Sequence, residues 1–238
     1  METASPLAWA KAHKREVIAR LLAISHAAPE LLPAGIFMAG LPGAGKTELS
    51  RYIIEDSGVN LFRIDMDEIA SLIPGYTPER ADDFRQPVTT LLSEAFSYAL
   101  KHSISFILDG TFGSTAAIQN IERCLKRNIP VQIVYAFQDP KLAWEFTLAR
   151  EKVEHRAIKF DGFIASYYKT IANIKTLGGQ FASKITLDIA VKNRQNQIAR
   201  WFRSADPAKI DELLRIEYNK DKLVKHILGE HHGPKANH

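Results

Sequence analysis

A phosphate-binding loop constrains the fold of this 238-residue chain more than any other feature of its sequence. Residues 40–47 read GLPGAGKT, which matches the pattern of Gly, four residues, and then Gly-Lys-Thr. An apolar run over residues 35–39 has the character of a buried strand, and residues 48–54 have helical spacing. A strand, this loop and a helix in that order place backbone N–H groups and a helix N-terminus around an anion. The sequence therefore predicts an α/β protein that binds the phosphates of a nucleotide.

The residues of the loop have separate physical tasks. Glycine lets the backbone curl around a phosphate, so that successive N–H groups point inward. Lys46 is expected to reach the β- and γ-phosphates, and the Thr47 hydroxyl is expected to ligate Mg²⁺. ATP with Mg²⁺ is therefore the expected cofactor; no guanine-reading motif is evident. The residues predicted to bind the cofactor are Gly40, Pro42, Gly43, Ala44, Gly45, Lys46, Thr47 and Glu48.

Strand-like apolar runs alternate with helical patterns along the chain, which indicates parallel βαβ units. The prediction is a P-loop kinase-like parallel sheet of about five strands with helices on both faces, plus N- and C-terminal helical extensions. A long helix is expected to start at Pro87 and to end near Lys101. Residues 195–228 are expected to be helical, with a possible break at Asp206-Pro207. The whole chain, 1–238, is predicted to be one domain. Its parts are an N-terminal helical extension over 1–30, a kinase core over 31–193, and C-terminal helices with a polar tail over 194–238.

Composition excludes several classes of protein. A single cysteine, Cys124, allows no internal disulfide, and we expect it to be a packing residue. Charged residues interrupt the apolar pattern of residues 7–24, so no secretory signal is expected, and no stretch is long and apolar enough for a membrane span. We therefore expect a cytoplasmic protein without a membrane partner. The net charge is +4, and the lysines and arginines are scattered along the chain, which argues against a nucleic-acid partner.

Acidic residues follow the second and third predicted strands, where ligands of such sheets gather. Asp65 and Asp67 come after the second strand, and Asp109 and Thr111 come after the third. Phosphoryl transfer to an alcohol needs a carboxylate that orients and deprotonates the hydroxyl. We favour Asp67 for this base and Asp65 as a supporting residue, although either could instead cap the following helix. Asp109 could hold Mg²⁺ or substrate.

Cations over the migrating phosphate are expected from the helices after the fourth strand. Arg150, Lys152, Arg156 and Lys159 lie there. Arg150 and Arg156 can reach one site if the helix ends between them. The forked donors of arginine suit a phosphoryl group better than the single ammonium of lysine.

Together these residues resemble the zeta toxin family, which comprises kinases of UDP-N-acetylglucosamine in bacterial toxin–antitoxin modules. The resemblance runs from about residue 35 to about residue 193. The phosphate loop alone is unspecific, whereas the motifs that follow it are together fairly specific. The matching segments are residues 40–47, Ile64-Asp65-Met66-Asp67, Ser93-Glu94-Ala95, Leu108-Asp109-Gly110-Thr111, and the arginines Arg150 and Arg156.

The resemblance implies a sugar-nucleotide substrate and a role for each matching residue. Asp67 would activate the sugar 3′-hydroxyl, and Arg150 and Arg156 would stabilise the transferring phosphate. Glu94, together with Asp109 and Thr111, would hold the sugar nucleotide. Two departures concern this substrate. The acid before Gly110 is usually Glu, and the residues after Thr111, Phe112-Gly113-Ser114-Thr115, lack the arginine that helps to grip the substrate in the toxins.

The resemblance also implies a protein partner. In the toxin modules an antitoxin blocks the ATP site with a helix. The amphipathic helix predicted near residues 7–24 has two interpretations: a fused, self-inhibiting element, or ordinary packing on the sheet.

Overall fold

The computed structural model describes residues 5–110, 112–154, 158–214 and 219–229. They form one six-stranded sheet with helices around it. The strands are β1 (Gly35–Gly40), β2 (Phe62–Asp65), β3 (Phe106–Asp109), β4 (Val131–Phe137), β5 (Ile185–Lys192) and β6 (Ile198–Phe202). The helices are α1 (Pro6–Ser25), α2 (Lys46–Ser57), α3 (Met66–Ser71), α4 (Ala81–Lys101), α5 (Thr115–Leu125), α6 (Pro140–Glu154), α7 (Phe160–Phe181), α8 (Ile210–Leu214) and α9 (Lys220–Leu228).

The sheet has the order β2-β3-β1-β4-β5-β6, and its first five strands are parallel. This confirms the predicted α/β fold class. Parallel strands buried on both faces read as apolar runs, and β1 and β4 have that character. The carboxyl ends of β1, β2 and β3 lie side by side, because β3 pairs with both of the others.

An aromatic cluster joins the sheet to the helix that covers it. The rings of Phe37 on β1, Phe106 on β3 and Phe96 on α4 meet edge to face, with centroids 5.2–6.1 Å apart. All three are at most 1% exposed. Edge-to-face pairs of this kind add stability beyond the burial of their area. The cluster therefore fixes α4 over the strands whose ends carry the acidic residues.

The expected start of α4 at Pro87 is wrong. The helix begins at Ala81, after a short 3₁₀ turn at Pro78–Arg80, and Pro87 lies inside it. Two acidic residues in the first turn, Asp82 and Asp83, favour that earlier start through the helix dipole. Burial of Phe84 and Pro87 on the core side offsets the lost hydrogen bond of the proline.

The helix expected over residues 195–228 is interrupted by a sixth strand. β6 pairs antiparallel with β5 through a tight turn, in which the Asn193 side chain accepts from the backbone N–H groups of Gln195 and Gln197. The buried carboxylate of Asp188 on β5 then accepts from the indole of Trp201 at 3.1 Å. Leaving that carboxylate without donors would be costly, so it holds the strand in place. Two short helices, α8 and α9, lie within the rest of the range that was expected to be helical.

Helix α1 packs on the core. Its apolar face, with Ala10, Val17, Ile18 and Leu21, is buried against α4 and β2. This agrees with packing, the second of the two interpretations of this helix. Among the described residues, no helix combines the length and apolar character that crossing a bilayer requires.

Candidate active site

A cavity of about 680 Å³ opens at the carboxyl ends of β1, β2 and β3. The phosphate loop forms one wall, the ends of β2 and β3 form the floor, and α6 forms the opposite wall. The position agrees with the rule that ligands of open α/β sheets bind beyond the carboxyl ends of their strands. Predicted residues that line it are Pro42, Gly43, Gly45, Lys46, Thr47, Glu48, Asp65, Asp67, Asp109 and Arg150. Gly40 and Ala44 belong to the same loop.

Left-handed backbone shapes the loop. Gly43 and Gly45 have φ of +75° and +73°, and Gly45 forms the N-cap of α2. A Cβ at Gly43 would lie 2.1 Å from the backbone oxygen of Ala143 on α6, so no larger residue fits without movement of α6. The glycines therefore set both the curl of the loop and its distance from α6.

Lys46 lies at the start of α2, where its Nζ donates to the carbonyl oxygen of Leu41 at 2.7 Å. Burial lowers the pKa of Lys46, while the nearby carboxylates of Asp109 and Asp67 oppose that shift. A partly buried ammonium with one backbone acceptor gains from further anionic partners. The arrangement suits a lysine that binds phosphate oxygens.

Asp65 and Asp109 lie side by side at the ends of β2 and β3, where they are register partners. Asp65 is also the N-cap of α3, and its Oδ1 accepts from the backbone N–H groups of Asp67 at 2.8 Å and Glu68 at 2.9 Å. Burial, followed by the neighbouring Asp109 charge, raises the pKa of Asp65 to about 6. Asp65 therefore has the capping role that the sequence allowed, and it supports the chain that presents Asp67.

Arg63 is a site residue that the sequence analysis missed. Its guanidinium lies between two carboxylates, with Nη2 3.0 Å from Oδ2 of Asp65 and 3.3 Å from Oδ2 of Asp109, and its Nη1 pairs with Glu68. Ser50 on α2 also contacts Oδ2 of Asp109, at 3.1 Å. One signal for this role was present in the sequence. Arg63 lies inside β2, a four-residue strand that is otherwise apolar until its last residue.

Asp67 and Arg150 meet across the cavity, 83 residues apart in the chain. Nη2 of Arg150 donates to Oδ2 of Asp67 at 2.9 Å, and its Nε donates to Oε2 of Glu154 at 2.6 Å. Both side chains of the first pair remain nearly half exposed, at 48% and 43%. They are therefore accessible to a molecule in the cavity, unlike the buried pair of Asp65 and Asp109.

One predicted residue, Glu94, is not brought together with these. Glu94 lies on α4 and forms an ion pair with Lys14 of α1 at 2.9 Å, and it is not among the described residues that line the cavity. Arg156 and Thr111 lie outside the described residues. Asn196, which the sequence analysis did not consider, lines the cavity from the turn between β5 and β6, and its side chain lies against Gly45.

This fold and this cavity define a P-loop kinase-like protein. The site has its phosphate loop after the first strand and its carboxylates after the neighbouring strands. The family model named Zeta toxin matches residues 19–205. The chain therefore belongs to the zeta toxin family, as the sequence motifs indicated.

Solved structures with the same fold include a chain from the PezAT chromosomal toxin–antitoxin system of Streptococcus pneumoniae. It is 17% identical with a TM-score of 0.65, and the alignment covers 91% of this chain and 96% of that one. The AvrRxo1-ORF1:-ORF2 structure with ATP has a TM-score of 0.58 at 9% identity, and covers 86% of this chain and 70% of its own. No curated protein sequence matches significantly. Family and fold together support an ATP-dependent kinase.

Proposed function

We propose that this protein transfers the γ-phosphoryl group of ATP to the hydroxyl of a small molecule. The observation that carries the proposal is the convergence of Lys46, Asp67 and Arg150 on one cavity, with Asp67 and Arg150 in contact at 2.9 Å. A phosphate-binding lysine, an accessible carboxylate and an accessible guanidinium are the groups that phosphoryl transfer to an alcohol requires. Nucleotide binding through the loop and Lys46 requires neither the carboxylate nor the guanidinium.

The loop would hold the triphosphate through its backbone N–H groups and Lys46. Thr47 and Asp109 both line the cavity and both offer oxygen donors, which Mg²⁺ prefers. They fit this ion, and when bound it would neutralise charge on the β- and γ-phosphates. Asp109 is proposed as a ligand either of the metal or of the substrate. Its Oδ2 already contacts Arg63 and Ser50.

Asp67 would accept the proton of the attacking hydroxyl. A bond then forms between that oxygen and the γ-phosphorus, the bond from the γ-phosphorus to the β–γ bridging oxygen breaks, and ADP leaves. Arg150, released from Asp67 as the carboxylate turns to the hydroxyl, would donate to the migrating phosphoryl group. Arg156 is proposed for the same task.

The family resemblance makes the 3′-hydroxyl of UDP-N-acetylglucosamine the first acceptor to test. A nucleoside, NAD or an antibiotic is the alternative, and the missing arginine after Thr111 favours testing these alongside it. An antitoxin protein is the proposed partner, because the toxin–antitoxin system of Streptococcus pneumoniae contains a chain of this fold. A catalytically silent member that only binds nucleotide is the contrasting hypothesis.

Mass spectrometry after incubation with ATP, Mg²⁺ and each acceptor tests the proposal, through the mass gain of one phosphoryl group. Asp67→Asn is expected to lower transfer by about 10²–10⁴-fold, because it removes the base but keeps the shape. Asp211→Asn is the matched control, since Asp211 is an exposed residue on α8 that pairs with Lys175. Equal transfer or equal ATP turnover by Asp67→Asn and wild type would refute catalysis through Asp67.

A further inference from the structure

The turn between β5 and β6, residues 193–197, reaches the phosphate loop from the side opposite to the acidic residues. In the sheet order, β2 and β3 lie on one side of β1, and β4, β5 and β6 lie on the other. Asn196 in this turn lines the cavity, and its side chain lies against Gly45. A nucleotide whose γ-phosphate faces Asp67, which follows β2, would therefore extend its nucleoside towards this turn.

Hydrogen bonds fix the shape of this turn. The backbone N–H of Asn196 donates to the carbonyl oxygen of Asn193 at 3.0 Å. Gln138, which is 1% exposed after the end of β4, donates to the same oxygen at 2.8 Å. Nζ of Lys192 donates to the carbonyl oxygen of Asn196 at 3.3 Å. Asn196 has φ of +60°, a left-handed conformation that asparagine adopts more readily than most residues. A held backbone therefore presents this side chain to the cavity.

The amide of Asn196 has a buried acceptor. None of the residues that the structure describes donates a hydrogen bond to its Oδ1. A buried carbonyl oxygen without a donor is costly, so a ligand that supplies a donor is favoured there. Phosphate oxygens are acceptors and cannot supply it. The N–H and O–H donors of a nucleotide belong to its base and its ribose, so the oxygen suits the nucleoside part.

Adenine offers the amide two matched hydrogen bonds. An asparagine can accept from the 6-amino group of adenine while it donates to N7. Guanine has the acceptor O6 where adenine has the amino group, so the amide oxygen would face another acceptor. We propose that Asn196 selects adenine as the base of the phosphate donor by accepting from its 6-amino group. The inference rests on the proposed function, because the position of Asp67 sets the direction of the nucleotide, and it names the residue that determines the donor.

Equilibrium binding in calorimetry tests this inference without a known acceptor. ATP would be compared with purine riboside triphosphate, which lacks only the 6-amino group, in the presence of Mg²⁺. We expect the wild type to bind ATP about tenfold more tightly than this analogue, because the analogue leaves the buried oxygen without a donor. Asn196→Gly keeps the left-handed backbone and removes the amide, so its ratio of affinities is expected to fall to about one. Asn128→Gly is the matched control and is expected to keep the tenfold ratio, since Asn128 is an exposed residue between α5 and β4 with φ of +57°.

Further ligands separate base recognition from other contacts of the amide. Tripolyphosphate is expected to bind the wild type and Asn196→Gly equally, and so is the loss of affinity on going from ATP to its 2′-deoxy and 3′-deoxy forms expected to be equal in both proteins. Weaker binding of tripolyphosphate by the variant would assign the amide to a phosphate. A deoxy effect present only in the wild type would assign it to the ribose, and either result would overturn the inference.

The outcomes also separate this inference from the proposed reaction. Equal affinity of the wild type for ATP and its analogue, with phosphoryl transfer intact, would overturn the inference alone. Tenfold selectivity that depends on Asn196, without transfer to any acceptor, would refute the reaction and leave the adenine contact standing. A protein that binds none of these nucleotides would overturn both.

Discussion

Replacement of Asp65 by asparagine is expected to stabilise the protein at neutral pH and to leave its stability unchanged in acid. Asp65 caps α3, and asparagine keeps the oxygen that accepts from the N–H groups of Asp67 and Glu68. What the substitution removes is a buried negative charge beside Asp109. The site would thus lose an unfavourable charge without losing its cap.

The magnitude follows from the pKa of Asp65, which rises from 3.8 to about 6 on folding. A group with a raised folded pKa contributes stability below its unfolded pKa, and that contribution is lost as pH rises through the folded pKa. Ionisation of Asp65 therefore costs about 3 kcal/mol above about pH 7. The side chain is only 8% exposed, so solvent screening is small. The raised pKa already includes the attraction of Arg63, so the expected gain for Asp65→Asn is about 3 kcal/mol near neutral pH.

Urea denaturation between about pH 4 and pH 8 measures this difference in the free energy of unfolding. The wild type should lose stability relative to the variant between about pH 4 and pH 6, and the difference should stay constant above that range. Asp206→Asn is the matched control, because Asp206 caps a surface turn by accepting from Ala208. A variant that is less stable than wild type near neutral pH, or a difference independent of pH, would refute the charge argument.

Three further predictions concern packing in the site and in the core. Gly43→Ala should weaken ATP binding about tenfold or more in calorimetry, since its Cβ would strike the Ala143 oxygen. In Gly58→Ala the new Cβ meets no atom within 4 Å, so this control should lose only about 1 kcal/mol of stability and bind ATP as the wild type does. Equal ATP affinity of the two variants would contradict this. Arg63→Met should cost about 3–5 kcal/mol in urea denaturation near pH 7.5, and less in acid as its carboxylate partners become protonated. Burial raises the pKa of Cys124 to about 12, so maleimide labelling near pH 8 should be about 100-fold slower in native than in unfolded protein; fast native labelling would refute that burial.

Much of the site could be predicted because parallel strands end at one edge of the sheet. Once residues 35–40, 62–65 and 106–109 are strands, the loop and the acidic residues after them must lie close together. The order of strands brings Asp65 beside Asp109, which the sequence does not specify. The roles of Arg63 and Asn196 depend on which strands and turns become neighbours, and that depends on contacts far apart in the chain. β6 was missed for the same reason, since it needs Asp188 as a partner.

Glu94 shows what a motif match leaves undetermined. A match carries over the position of a residue along a helix, whereas packing decides which way its side chain points. The ion pair of Glu94 with Lys14 does not decide it, because both side chains are about 40% exposed and such a pair contributes about 1 kcal/mol or less. The neighbours of Glu94 on α4 decide the direction of its side chain, because Leu91 and Ala95 are at most 1% exposed in the core. Turning Glu94 towards another surface would expose Leu91, at a cost of about 2 kcal/mol, so the orientation of α4 rather than the motif sets the place of this carboxylate.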